Sequence, residues 1–143
     1  MKTIITTIIA SFLLISCIRE DTSTEDLMEM EPENATLKYS GNFAQGPYGT
    51  NINGKAEIFE KNGTFTLVFD ENFSVSNGPD LYVYVSKEQQ PLQFVSLGKL
   101  KSVNGGQTYT FTSSVNFDEY KYAVVHCQQY NHLFSYALLQ KLL

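Results

Sequence analysis

Between Ser76 and Ser86 the chain reads Ser-Asn-Gly-Pro-Asp-Leu-Tyr-Val-Tyr-Val-Ser, a turn signal that runs directly into apolar residues. Leu81, Val83 and Val85 alternate with Tyr82 and Tyr84, so neither face of the strand this predicts suits open water. It reads as a central strand of a two-layer β structure. From Thr36 onward the same texture repeats, with short apolar runs broken by turn residues. Asn53-Gly54, Asn62-Gly63, Asn77-Gly78 and Asn104-Gly105 are four Asn-Gly pairs, the strongest short-range hairpin signal. The runs between them predict strands over 36–40, 55–60, 65–69, 81–86, 92–96, 108–112, 122–128 and 134–139. In the run 64–69 and around Tyr109 and Phe111, apolar residues alternate with threonines, which predicts one wet face for each of those strands. Eight strands with no long helical period predict an all-β fold, an antiparallel β-sandwich, with a small β-barrel as the alternative. Asn77, Gly78, Pro79 and Asp80 are expected to form the structural turn that sets the central strand, in preference to a ligand contact.

The N-terminal quarter is patterned differently. Lys2 precedes a twelve-residue apolar run, Ile4 to Ile15, which has the length of a secretory signal and is too short to span a membrane. Residues 18–34 are polar and acidic, a composition that predicts a solvated linker. They explain the net charge of −5: Glu20, Asp21, Glu25, Asp26, Glu29, Glu31 and Glu33 supply seven of fifteen acids. From Asn34 onward eight acids face eight lysines, so there is no basic surplus to neutralise phosphates and no nucleic-acid partner is expected. At 143 residues and 43% hydrophobic content, the remainder fills one domain, 35–143.

The apolar run ends in Leu14-Ile15-Ser16-Cys17, which is similar to the bacterial lipobox. The resemblance implies a lipoprotein signal peptide over 1–16, lipid attachment at Cys17, and an acidic linker over 17–34. An ordinary signal peptide with an incidental cysteine, or an uncleaved anchor, is the competing reading. Two or three acyl chains hold a protein on a membrane where one does not. Ile18 stands where an aspartate is associated with inner-membrane retention, so the resemblance implies the outer membrane of a bacterial cell envelope, periplasmic or surface-facing.

Catalytic chemistry is sparse. There is no Gly-x-Ser-x-Gly, Walker loop, His-Glu-x-x-His or Cys-x-x-Cys, and His126 and His132 are the two histidines. Asp70-Glu71 and Asp118-Glu119 are acid pairs of the kind glycoside hydrolysis uses, but neighbours in sequence need not face one bond, and solvated turn acids are the simpler reading. No spaced Asp/Asn loop for calcium occurs, and no metal site is expected. The sequence does not point to a classical enzyme. On a regular strand His126 and Cys127 face opposite ways, so the two cannot share a metal without a bulge. His132, beyond the strand, could swing back toward Cys127. A buried, inert thiol is the ordinary reading of Cys127.

Gly41-Asn-Phe43, Asn53-Gly-Lys-Ala-Glu-Ile58, Phe73, Asn77-Gly-Pro-Asp-Leu-Tyr-Val-Tyr-Val85, Leu97-Gly-Lys-Leu-Lys101, Gly105-Gly-Gln-Thr-Tyr109, Tyr120, Val124-Val-His-Cys127, and Phe134 with Ala137-Leu138 follow one another in an order and spacing that resemble the electron-transfer DM-thirteen domain. The resemblance implies a small extracytoplasmic β module with a lone cysteine and an electron-transfer or redox role exercised with a partner protein. Cys127, His126 and His132 become the redox or cofactor candidates. Haem is the cofactor it would suggest, with Cys127 as thiolate ligand and a histidine opposite. The chain departs from the pattern in two places: a histidine usual before the glycine matched by Gly54 is absent around Thr50, and His126 replaces the usual aromatic residue before the cysteine. The alternative is a non-enzymatic surface module that recognises a glycan or a protein through Tyr82, Tyr84, Tyr122 and Tyr130.

Overall fold

The computed structural model describes residues 22–143; the expected leader, Cys17 and the first linker residues lie outside the described part. Ten strands follow in order: β1 Ser23–Met28, β2 Thr36–Gln45, β3 Lys55–Lys61, β4 Thr64–Phe69, β5 Leu81–Ser86, β6 Phe94–Lys99, β7 Ser102–Thr110, β8 Tyr122–Cys127, β9 His132–Leu138 and β10 Gln140–Lys141. They form one sheet in the order β1-β7-β4-β3-β2-β9-β8-β5-β6, with β10 added alongside β2. Its ends, β1 and β6, do not pair, so the barrel alternative is not realised.

The long strand β2 joins two halves. Residues from Thr36 to Asn42 pair with β3, and Phe43 to Gln45 pair with β9. One core cluster collects Ile58, Leu67 and Phe69 from the first half with Leu81, Val83, Val85, Val125 and Cys127 from the second, so the halves face each other in a sandwich-like arrangement. Aromatic rings fill it. Phe43 meets Phe69 edge-on at 4.8 Å, Phe69 lies 4.6 Å from Phe73, and Tyr109 closes the group at 5.5 Å from Phe69. Such pairs add about 0.5–1.5 kcal/mol each beyond burial. The Tyr109 hydroxyl is accommodated by donating to Gln107 Oε1 at 2.7 Å and accepting from the Lys101 amide at 3.1 Å. Burial pushes its phenol pKa well up.

Strand β5 is central, between β8 and β6, as its two apolar faces require. The Asn62-Gly63 pair closes β3 onto β4 with both residues at positive φ, 51° and 78°. Other expectations need correction. Asn104-Gly105 is no hairpin but lies inside β7, where Gly105 takes φ +87°. At Asn77-Gly78 the positive φ belongs to Asp80, at 55°. Three strands are displaced: β6 and β9 begin at Phe94 and His132, and β7 spans Ser102–Thr110. The outer face of β4 is not wet, because Thr66 and Val68 are buried, and the cleft containing Val68 is shared with Met28, Met30 and Glu31 of the N-terminal segment.

That segment is the largest departure. Residues 23–28, expected within a solvated linker, form β1, paired parallel to β7. Its side chains stay mostly exposed, as an acidic composition demands, so burial does not hold it. Polar groups of the domain do. Ser102 Oγ donates to the carbonyls of Ser23 and Glu25, Asn104 Nδ2 to Thr24, and Asn77 Nδ2 to Thr22. At the far end the Glu29 carboxylate accepts the Thr108 amide at 2.8 Å and pairs with Lys101 Nζ at 2.7 Å. Its partial burial would raise its pKa, but Lys101 and Thr108 outweigh that and hold it below the usual range.

A Cβ on Gly105 would collide with the Leu27 carbonyl at a φ that L-residues rarely adopt. Gly105→Ala is therefore expected to strip hydrogen-exchange protection from amides 23–29 while those of β8 stay protected; uniform retention of protection across β1 would contradict the clamp described here.

Candidate functional site

Strand β8 is flanked by β5 and β9, and its register pairs Cys127 with Leu81 and His132, and His126 with Tyr82 and Leu133. The alternation of a strand then sends the two residues apart. Cys127, 0% exposed, joins the core between the layers. It is the free cysteine of the described residues, and the thiol makes no hydrogen bond there. His126 points to the outer face, against Tyr84 at 5.5 Å between ring centroids. A shift of register between Val125 and His126 makes Phe134 the extra residue of β9 and turns it inward.

The outer face is closed by the loop between β5 and β6. Phe94 stacks on Tyr84 at 4.1 Å, and Gln90 Nε2 donates to Asn131 Oδ1 at 3.0 Å. The same oxygen sits 3.0 Å from His126 Nε2. An oxygen that already accepts from Gln90 requires a proton on His126 Nε2, which leaves Nδ1 as a bare acceptor, buried and without a partner. Burial lowers the His126 pKa, the Asn131 hydrogen bond works against that, and the neighbouring His132 lowers it further. The imidazole is neutral at neutral pH and gives Cys127 no cationic neighbour.

His132 does not reach the thiol by a hydrogen bond either. Its ring lies flat on Tyr48 at 3.6 Å with a 4° interplanar angle, and Tyr130 approaches from the turn at 5.8 Å. Tyr48 is placed by the loop after β2, which continues along β9 through Gly46 N to Phe134 O and Tyr48 N to Leu133 O. This stack, between residues far apart in sequence, carried no sequence signal beyond two aromatic residues in loops.

The turn residues are engaged with their surroundings. Asn77 Oδ1 accepts the Gly78 amide at 2.8 Å, Gly78 lies under the Phe134 ring, and the Asp80 carbonyl accepts the Gln128 amide at 3.0 Å. Pro79 carries the chain from there into β5. Of the tyrosines expected as a sugar platform, Tyr84 is 1% exposed and unavailable, Tyr82 and Tyr122 are half-buried, and Tyr130 is open. The acid pairs are not gathered: Glu119 pairs with Lys87 at 3.0 Å, and Asp70 Oδ1 caps the Lys55 amide at 3.0 Å. What the sequence did not reveal is that Glu57 joins Asp70 and Glu71 in a cleft of about 320 Å³ under Met28 and Met30. Burial, then the Asp70 charge, raises the Glu57 pKa. Among the described residues no three His, Cys, Asp or Glu side chains converge as a metal site.

Haem does not fit Cys127 and His126. One ligand atom lies in a filled apolar core, the other on the opposite face of the same strand, and none of the described clefts is lined by Cys127.

Residues 42–139 match the family model of the electron transfer DM13 domain. No curated protein and no solved structure matches the chain.

A depressed histidine pKa means that the unfolded chain binds the proton more readily. The stability His126 contributes is thus fully present above the ordinary pKa of about 6.5 and is lost as the pH falls from there toward the lower folded value. Denaturant midpoints at pH 7.5 and 5.5 should differ more for the native sequence than for His126→Gln; equal differences would contradict the buried neutral ring.

Proposed function

This chain belongs to the electron transfer DM13 family, and on that premise we propose that it is an electron-transfer or redox module of the bacterial cell envelope. Cys17, lipidated after removal of residues 1–16, anchors it to the outer membrane, and Cys127 is its redox group, working with a partner protein. The anchor is supported by the basic start, the apolar run and Ser16-Cys17. The redox assignment is supported by the family and by Cys127 being the free thiol of the described residues.

One observation shapes the mechanism: the thiol is wholly enclosed, yet it belongs to the last residue of β8. Thiol exchange and oxidation need a thiolate that another molecule can reach, and an apolar core denies that access. Electron exchange at Cys127 therefore waits on opening of the end of the sandwich formed by the loop 46–50 and the turn 128–131. The Tyr48–His132 stack helps to keep that end shut. A closed end makes the thiol inert toward small oxidants and open to a partner at the membrane surface that can displace the loop.

Losing a stack worth about 0.5–1.5 kcal/mol should raise the open population about 2- to 12-fold. Tyr48→Ala is expected to speed labelling of Cys127 in the native protein by that factor, whereas the native sequence labels slowly and cycles reversibly on oxidation and reduction. A thiol that reacts only with global unfolding, in both forms, would sink the assignment to Cys127. For the anchor, Cys17→Ser is expected to move the protein out of the membrane fraction; unchanged membrane recovery and intact mass would remove the lipid from the proposal.

A further inference from the structure

We propose that the end of the domain bearing Tyr48, His132 and Tyr130 rests on the phospholipid headgroup layer, held there by the β1 clamp; this rests on the anchor at Cys17 proposed above. The described chain starts at that end. Asn77 Nδ2 binds the Thr22 carbonyl at 3.3 Å, and the neighbouring Ser76 exchanges hydrogen bonds with Thr50, its amide reaching Thr50 O at 2.8 Å and its Oγ accepting the Thr50 amide at 2.9 Å. Two residues before Thr50 stands Tyr48, stacked on His132. Gly78, beside Asn77, packs under Phe134, which adjoins the same hairpin. The entry of the N-terminal segment and the aromatic stack therefore share one end of the sandwich.

Reach decides what covers that end. A free linker from Cys17 to the start of β2 at Thr36 could extend about 65 Å and leave the domain untethered in orientation. With β1 clamped, only the stretch from Cys17 to Thr22 is left, about 18 Å when fully extended, of which the headgroup layer takes about 6 Å. The domain end cannot move far from the lipid.

The chemistry of the surface suits that place. Tyr48 and Tyr130 are 54% and 48% exposed and flank a histidine, giving three rings with polar atoms on apolar bodies. Tyrosine is the kind of side chain enriched where hydrocarbon gives way to headgroups, because its ring and its hydroxyl are satisfied on opposite sides of that boundary.

The chain contains no tryptophan, so a single introduced one reports its own surroundings. The full-length protein, matured in a bacterial host and checked by intact mass for acyl chains on Cys17, is reconstituted in phosphatidylethanolamine–phosphatidylglycerol vesicles containing brominated phosphatidylcholine. Tyr130→Trp, or Tyr48→Trp if the first fails to fold, is expected to lose about half its emission relative to unbrominated vesicles. Tyr120→Trp, at the opposite end beside Lys87, is expected to lose almost none. Adding Glu29→Ala to Tyr130→Trp should weaken the quenching by releasing β1. Equal quenching at both ends, or none at either in protein that carries the acyl mass, overturns the orientation and leaves the anchor standing. Absence of the acyl mass overturns the anchor and this inference together.

Discussion

The structure depends on how β2 divides its hydrogen bonds. Its first seven residues are committed to β3 and its last three to β9, so one continuous backbone belongs to both halves of the sheet. Buried peptide groups must be paired, and this sharing pairs them while the chain passes from one layer to the other. It also sets which faces meet. Once Phe43 begins the pairing with β9, its ring is delivered between Phe69 and Phe73, and the aromatic core forms around the crossing. The other strands take their positions from this one, β3, β4, β7 and β1 on one side, β9, β8, β5 and β6 on the other, and β10 alongside it.

The enclosed thiol follows from the same geometry. Strand parity puts Cys127 with Val83 and Val125, and the opposing layer then covers it. His126 is left facing outward, where Gln90 and Asn131 fix its tautomer and the loop over Tyr84 shuts out water. Neither histidine activates the sulfur. Access to this thiol is set by contacts at the edge of the core.

Legibility in the sequence divided along physical lines. The two apolar faces of 81–86 announced a central strand, and the opposite orientation of His126 and Cys127 was settled by the period of a strand alone. Asn62-Gly63 formed the hairpin its residues favour. Asn104-Gly105 did not, because the same permissive backbone also serves within a strand where another chain segment approaches closely, and β1 does so there. The acidic segment was misjudged because composition reports what side chains can bury, whereas β1 is held through its backbone by Ser102, Asn104 and Asn77. The Tyr48–His132 stack joins the loop after β2 to the first residue of β9, which only the folded register of β2 and β9 brings together.

The clamp of β1 has a mechanical side. The strand runs parallel to β7, with its entry at Thr22 and the Glu29 carboxylate fastened to Lys101 and Thr108 at the other end. A pull on the N-terminus directed back along the strand does not peel the ladder open one bond at a time. It loads the bonds to Ser102, Asn104, Gly105 and Gly106 together, in shear, with Glu29 as the final stop. The segment whose composition marks it as slack is the one built to bear tension.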